Sequence, residues 1–163
     1  MQALDDALDQ RRRALGLSWQ ELALQATERR DRGSDRRISP STFRAMAARA
    51  SVRDTVVLQA LRWLDATPES FVPGMTSRAE RRVPQDDSGR PVFDTKALHR
   101  ALDEKRERAG LSWTEVATQI GPGVNADGLK RLARGSTVGF PSVMRIFAWL
   151  DRPAADFVLF IPD

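Results

Sequence analysis

Leu111-Ser112-Trp113-Thr114-Glu115-Val116-Ala117 is a near copy of Leu17-Ser18-Trp19-Gln20-Glu21-Leu22-Ala23, which stands 94 residues earlier. The match runs outward on both sides. At the same offset Leu4, Leu8, Asp9, Arg12 and Gly16 meet Leu98, Leu102, Asp103, Arg106 and Gly110. Further on the offset is 86: Trp63-Leu64-Asp65 returns as Trp149-Leu150-Asp151, and Phe71-Val72 as Phe157-Val158. The first copy therefore holds eight extra residues, the difference of the two offsets, between Ala26 and Ile38. Self-similarity at a fixed spacing marks duplicated structural units. The expected division is a first domain over 1–74, a linker over 75–93 and a second domain over 94–163. Pro84, Gly89, Pro91 and mixed charge carry the linker assignment.

Each copy spells the same helices. Leu4, Leu8 and Leu15, and Leu98 with Leu102, fall at helical spacing. Asp94 or Thr95 is placed to cap the second copy's first helix. Gly16 and Gly110 close these helices, because glycine takes the left-handed conformation without penalty. Ser18 with Glu21, and Ser112 with Glu115, form capping boxes, and Leu17/Leu22 and Leu111/Val116 form hydrophobic staples. They open a second helix, from Trp19 to about Thr27 and from Trp113 to about Ile120. Ser39 caps a third helix with Pro40 at its first position, where a missing N–H costs nothing. Asn125 caps its counterpart and Gly135 stops it. A fourth helix carries Val57, Leu58, Leu61 and Leu64, or Val143, Met144, Phe147 and Leu150. Pro68 and Pro153 start a last helical turn that brings Phe71 and Phe157 to the core. Trp63 and Trp149 read as core residues, and His99, which aligns with Asp5, as a surface residue. No stretch reads as a strand. The expected fold is all-α: two tandem five-helix helix-turn-helix domains joined by a linker.

Composition narrows the function. The 163 residues contain no cysteine, one histidine and no tyrosine. Disulfides, thiol catalysis and most structural zinc sites are excluded, and a histidine-based triad has too few parts. No paired carboxylates or phosphate-cradling loop stand out. The expectation is a protein that is not an enzyme and uses no cofactor or metal. No apolar run approaches the ~20 residues of a membrane span, and the first ten residues lack a signal-peptide core, so a cytoplasmic location with no membrane partner is expected. Lys and Arg outnumber Asp and Glu by 26 to 22, a mild bias towards an anionic partner.

Leu111 to Ala117, continuing through Gly123-Val124-Asn125 and Leu129-Lys130-Arg131-Leu132-Ala133-Arg134-Gly135, resembles the phage-repressor (Cro-like, XRE-type) family of helix-turn-helix domains. Leu17 to Ala23 with Ile38-Ser39-Pro40-Ser41-Thr42-Phe43 resembles it too, so the likeness covers all of the chain but the linker. It implies a bacterial, nucleoid-associated transcriptional regulator, a repressor, that binds double-stranded DNA sequence-specifically with two tandem heads. Such domains lay the third helix in the major groove and brace the second across the phosphates. The DNA-binding residues this implies in copy 1 are Ser39, Ser41, Thr42 and Arg44, with Pro40 and Ala45 beside them, and Trp19, Gln20 and Arg49 at the phosphates. In copy 2 they are Asp127, Lys130 and Arg131, beside Ala126 and Gly128, with Asn125, Trp113, Thr114 and Arg134 at the phosphates.

Several of these carry a second reading. Asp127 either favours the positive end of its helix or accepts from a cytosine amino group. Gly128 either leaves room for close approach or marks a degenerate copy. Trp19 and Trp113 either donate to phosphate or simply pack. Arg29, Arg30, Arg32, Arg36 and Arg37, among Glu28, Asp31 and Asp35, form either a solvated loop or an arm that reaches phosphates or a minor groove. The chain departs from the family in the turn before the third helix. That turn is usually tight, but it is expanded by Gly121-Pro122 in copy 2 and by residues 28–37 in copy 1. Copy 1 is expected to be the stronger reader. The alternative function is a protein-interaction module of the same fold, an antitoxin or adaptor with reduced or no DNA readout, working as a homodimer or with a protein partner.

Overall fold

A computed structural model describes residues 2–28, 38–46, 48, 52–72, 82–84 and 89–162. Among them the chain is mostly helical. The first copy forms α1 (Gln2–Ala14), α2 (Trp19–Glu28), α3 (Pro40–Arg44) and α4 (Asp54–Leu64), then a 3₁₀ turn at Pro68–Phe71. The second forms α5 (Thr95–Arg108), α6 (Trp113–Ile120), α7 (Ala126–Arg131) and α8 (Phe140–Leu150), with 3₁₀ turns at Leu132–Arg134 and Ala154–Phe157. Two short strands, β1 (Arg90–Phe93) and β2 (Val158–Ile161), complete the described chain.

The helix ends follow local chemistry. Ser112 and Glu115 form a complete capping box at α6. At α2 the Ser18 N–H donates to Glu21 Oε2 at 2.7 Å and the Glu21 N–H to Ser18 Oγ at 3.2 Å. Ser39 caps α3, Asp94 caps α5 and Asn125 caps α7, each accepting a backbone N–H of the first turn. Asp65 and Asp151 end α4 and α8 in the left-handed conformation, φ 55° and 56°, a device invisible to a search for glycine.

The expectation that no strand exists is overturned. β1 and β2 pair antiparallel, with Arg90 opposite Ile161, Pro91 opposite Phe160, Val92 opposite Leu159 and Phe93 opposite Val158. A two-stranded ribbon has only edges, so Pro91 can sit in it without a donor. Gly89 is required just before β1: a Cβ there would stand 2.3 Å from the carbonyl oxygen of Ile161. The last four residues of the expected linker are thus sheet, and Phe93 is buried against Phe147, ring centroids 5.2 Å apart, while Phe147 stacks on Phe157 at 5.3 Å.

The ribbon also ties the copies together. Asp54 Oδ2, at the start of α4, accepts from the Phe93 N–H at 3.1 Å. Glu69, buried, accepts from the Ala154 N–H at 2.8 Å. The Arg62 guanidinium lies 5.4 Å from the centre of the Phe160 ring. The buried apolar residues of both copies, from Leu4, Leu22, Phe43 and Leu61 to Leu102, Leu129, Phe140 and Phe147, form one cluster.

Candidate nucleic-acid interface

The two helix pairs that carry the candidate residues are α2 with α3 and α6 with α7. A bracket of side chains, repeated in the two copies, positions each pair from the first helix. Arg12 on α1 donates from Nε to Asp9 Oδ1 at 3.0 Å and from Nη1 to the Leu17 carbonyl at 2.6 Å, and lies 5.0 Å from the Trp19 ring centre. Arg106 on α5 repeats this, donating to Asp103 Oδ1 at 2.7 Å and to the Leu111 carbonyl at 3.1 Å, with its guanidinium 5.1 Å from the Trp113 ring centre. The carboxylate fixes the arginine, and the arginine fixes the turn and the first residue of the next helix.

A second bracket joins the fourth helix. Trp63 donates to Gln25 Oε1 at 3.3 Å, and Trp149 to Gln119 Oε1 at 2.9 Å. Arg11 bonds the Leu64 carbonyl and lies 5.1 Å from the Trp63 ring centre; Lys105 bonds the Trp149 carbonyl and lies 4.7 Å from its ring centre. These four tryptophans are half-buried. Trp63 and Trp149 are therefore not core residues, as the leucine spacing suggested. They sit on the rim of the core, where an amphipathic indole keeps its N–H bonded while covering apolar surface. His99 is also corrected: it is half-buried, and its ring stacks on Trp113 at 5.1 Å with 28° between the planes.

The turn before α7 has its own support. The Ser142 hydroxyl donates to the Gly123 carbonyl at 3.2 Å, and Arg145 donates to the Pro122 carbonyl. Both belong to α8, and neither was singled out in the sequence. Their counterparts in copy 1 at the offset of 86 are Val56, which has no donor, and Gln59, an uncharged amide in place of the guanidinium. Copy 1 is also the copy with the long insertion.

Of the candidate readers, Ser41, Arg44, Asp127, Lys130 and Arg131 are exposed, as are Arg134, Gln20 and Thr114. Asp127, Lys130, Arg131 and Arg134 line one surface depression of about 250 Å³. Ser39 Oγ lies 2.8 Å from both Ser41 Oγ and Thr42 Oγ1, so these hydroxyls serve the helix start. Asn125 Oδ1 takes the Gly128 N–H at 2.7 Å, and a Cβ at Gly128 would stand 3.1 Å from that oxygen. Arg29, Arg30, Arg32, Arg36, Arg37 and Arg49 lie outside the described residues.

The pairing of the cations differs between helices. Arg12 and Arg13 pair with Asp9, Arg106 with Asp103 and Glu107, and Arg108 with Glu104. Among the described residues, Arg44, Lys130, Arg131 and Arg134 make no ion pair. The described residues hold no cluster of potential metal ligands, and no helix is long and apolar enough to cross a membrane.

Compared with protein-family models, curated proteins and solved structures, the chain gives no match.

Proposed function

We propose that the chain is a sequence-specific double-stranded DNA-binding regulator of transcription, a repressor, that presents two helix-turn-helix heads from one polypeptide. The observation that carries this is the contrast in pairing. Arg12, Arg13, Arg106 and Arg108 on the first helices are bound to carboxylates of their own helix, whereas Arg44, Lys130, Arg131 and Arg134, on or just after the third helices, are exposed and make no ion pair among the described residues. Unpaired cations on a helix that enters a groove supply phosphate contacts and bidentate contacts to guanine. Trp19 and Trp113 act here as packing residues held by Arg12 and Arg106.

Selection of bound fragments from random duplex DNA, followed by binding to every single-base variant of the selected site, tests the proposal. Arg44→Ala is expected to cost about 1–3 kcal/mol and to relax preference at one base pair. Arg131→Ala on the same duplex gives the corresponding measure for copy 2, and the two losses rank the heads. A uniform loss with unchanged preference identifies a phosphate contact instead.

A protein-interaction module is the second reading, and Asp127 favours it, since a carboxylate placed among Lys130, Arg131 and Arg134 suits a polar protein surface as well as DNA. Absence of any shift on nonspecific duplex at low salt, where phosphate binding is strongest, decides for that module.

A further inference from the structure

The junction of Asp54 with Phe93 borders an open cleft of about 620 Å³. Val52, Arg53 and Thr55, at the start of α4, form one wall. The β1–β2 ribbon forms the floor through Val92, Phe93 and Leu159. Thr137 and Val138, in the loop between α7 and α8, form the opposite wall. The volume is that of a small-molecule site, far above what one ion or water needs.

The lining has a definite chemistry. Val52 and Phe93 are 4% and 5% exposed, so the cleft ends on close-packed apolar side chains. Arg53, Arg90 and Lys96 stand around it, and among the described residues none of them makes an ion pair. The two carboxylates in the lining are committed to backbone. Asp54 accepts from the N–H groups of Thr55 at 2.9 Å and Phe93 at 3.1 Å, and Asp94 accepts from that of Ala97 at 2.9 Å. Three cations therefore face two engaged anions across an apolar floor. The lining therefore carries a net positive charge, three cations against two carboxylates, which favours an anionic guest over a cationic or neutral one.

We propose that this cleft binds a small amphipathic anion, with an apolar body on Val92, Leu159 and Val138 and a carboxylate- or sulfonate-type head between Arg53, Arg90 and Lys96. The proposal does not rest on DNA binding, because none of these residues belongs to the candidate interface.

The test uses the full chain and two fluorescent probes with the same aromatic body. One is the anion 1-anilinonaphthalene-8-sulfonate, the other its neutral parent N-phenyl-1-naphthylamine. One sulfonate probe per chain is expected to bind. The double variant Arg90→Ala/Lys96→Ala is expected to weaken the anion about tenfold and the neutral probe less than about twofold, as loss of charge-assisted bonds requires. Val138→Trp, which fills the cleft, is expected to abolish binding of the anion. Thr137→Trp, at the exposed rim, repeats that blockade if the first variant fails to fold by circular dichroism. Three results each overturn the proposal: no binding of the anion to the wild-type chain, equal affinity for the two probes, or anion binding that survives blockade in a folded variant.

Discussion

At the scale of single residues, one alignment position shows how the copies diverged under the same backbone. Asp5 and His99 are equivalent. His99 stacks on Trp113, whereas Asp5 Oδ1 is buried without a hydrogen-bond partner. Burial, followed by repulsion from Asp6 and Asp9, pushes the Asp5 carboxyl above its ordinary range. A raised carboxylate pKa means the ionised form is penalised in the folded chain, so Asp5 destabilises above its folded pKa and ceases to do so below the unfolded value. Asp5→Asn is expected to raise the melting temperature at neutral pH by about 1–2 °C, with the gain vanishing as the pH falls below about 4. Melts of both proteins across that range check it. Asp9, Glu21 and Glu115 have the opposite sign. The hydrogen bond from Arg12 holds Asp9 below the usual carboxylate range, and bonds from Ser18 and Ser112 hold Glu21 and Glu115 there. Their stabilisation is present above the ordinary carboxylate pKa and is lost as acid approaches their lowered values.

At the scale of elements, the capping residues were legible because each acts within one turn. Ser112→Ala removes the N-cap of α6, a helix of only 8 residues, and is expected to cost about 1 kcal/mol in urea unfolding. Asp151→Gly relieves a non-glycine residue at φ 56° and is expected to stabilise by roughly 0.5 kcal/mol by the same measurement. The strands were not legible. β1 and β2 are 4 residues each, too short for an alternating pattern to rise above chance, and neither is stable without the other, which lies at the opposite end of the second copy. The support of Ser142 and Arg145 for the turn at 121–123 was hidden for the same reason. Arg145→Gln, the residue copy 1 carries, is expected to cost about 1 kcal/mol. Hydrogen exchange at Gly123 and Val124 should rise in that variant, and unchanged protection there contradicts the role given to Arg145.

At the scale of the whole molecule, the ribbon and the buried Glu69 make the copies depend on each other. Cutting at 74 and 94 leaves β2 without its partner and uncovers the face of α4 against which β1 packs. A fragment 89–163, which keeps β1, is expected to melt several degrees above a fragment 94–163; equal melting contradicts the structural weight given to the ribbon. Glu69→Ala removes the acceptor of the Ala154 N–H and is expected to cost about 1–3 kcal/mol, the penalty of a buried donor left unpaired.

Sequence alone determined the duplication, the order of the helices and the residues that open the second and third helices of each copy, because those properties rest on contacts within a few residues. It also marked which cations belong to the third helices. It missed what depends on neighbours distant along the chain: the rim positions of Trp63 and Trp149, the stacking of His99, the strand at the end of the expected linker and the cleft beside it. Tertiary structure decided these, since burial, pairing and cavity shape arise only when the start of α4, the ribbon and the loop after α7 are brought together.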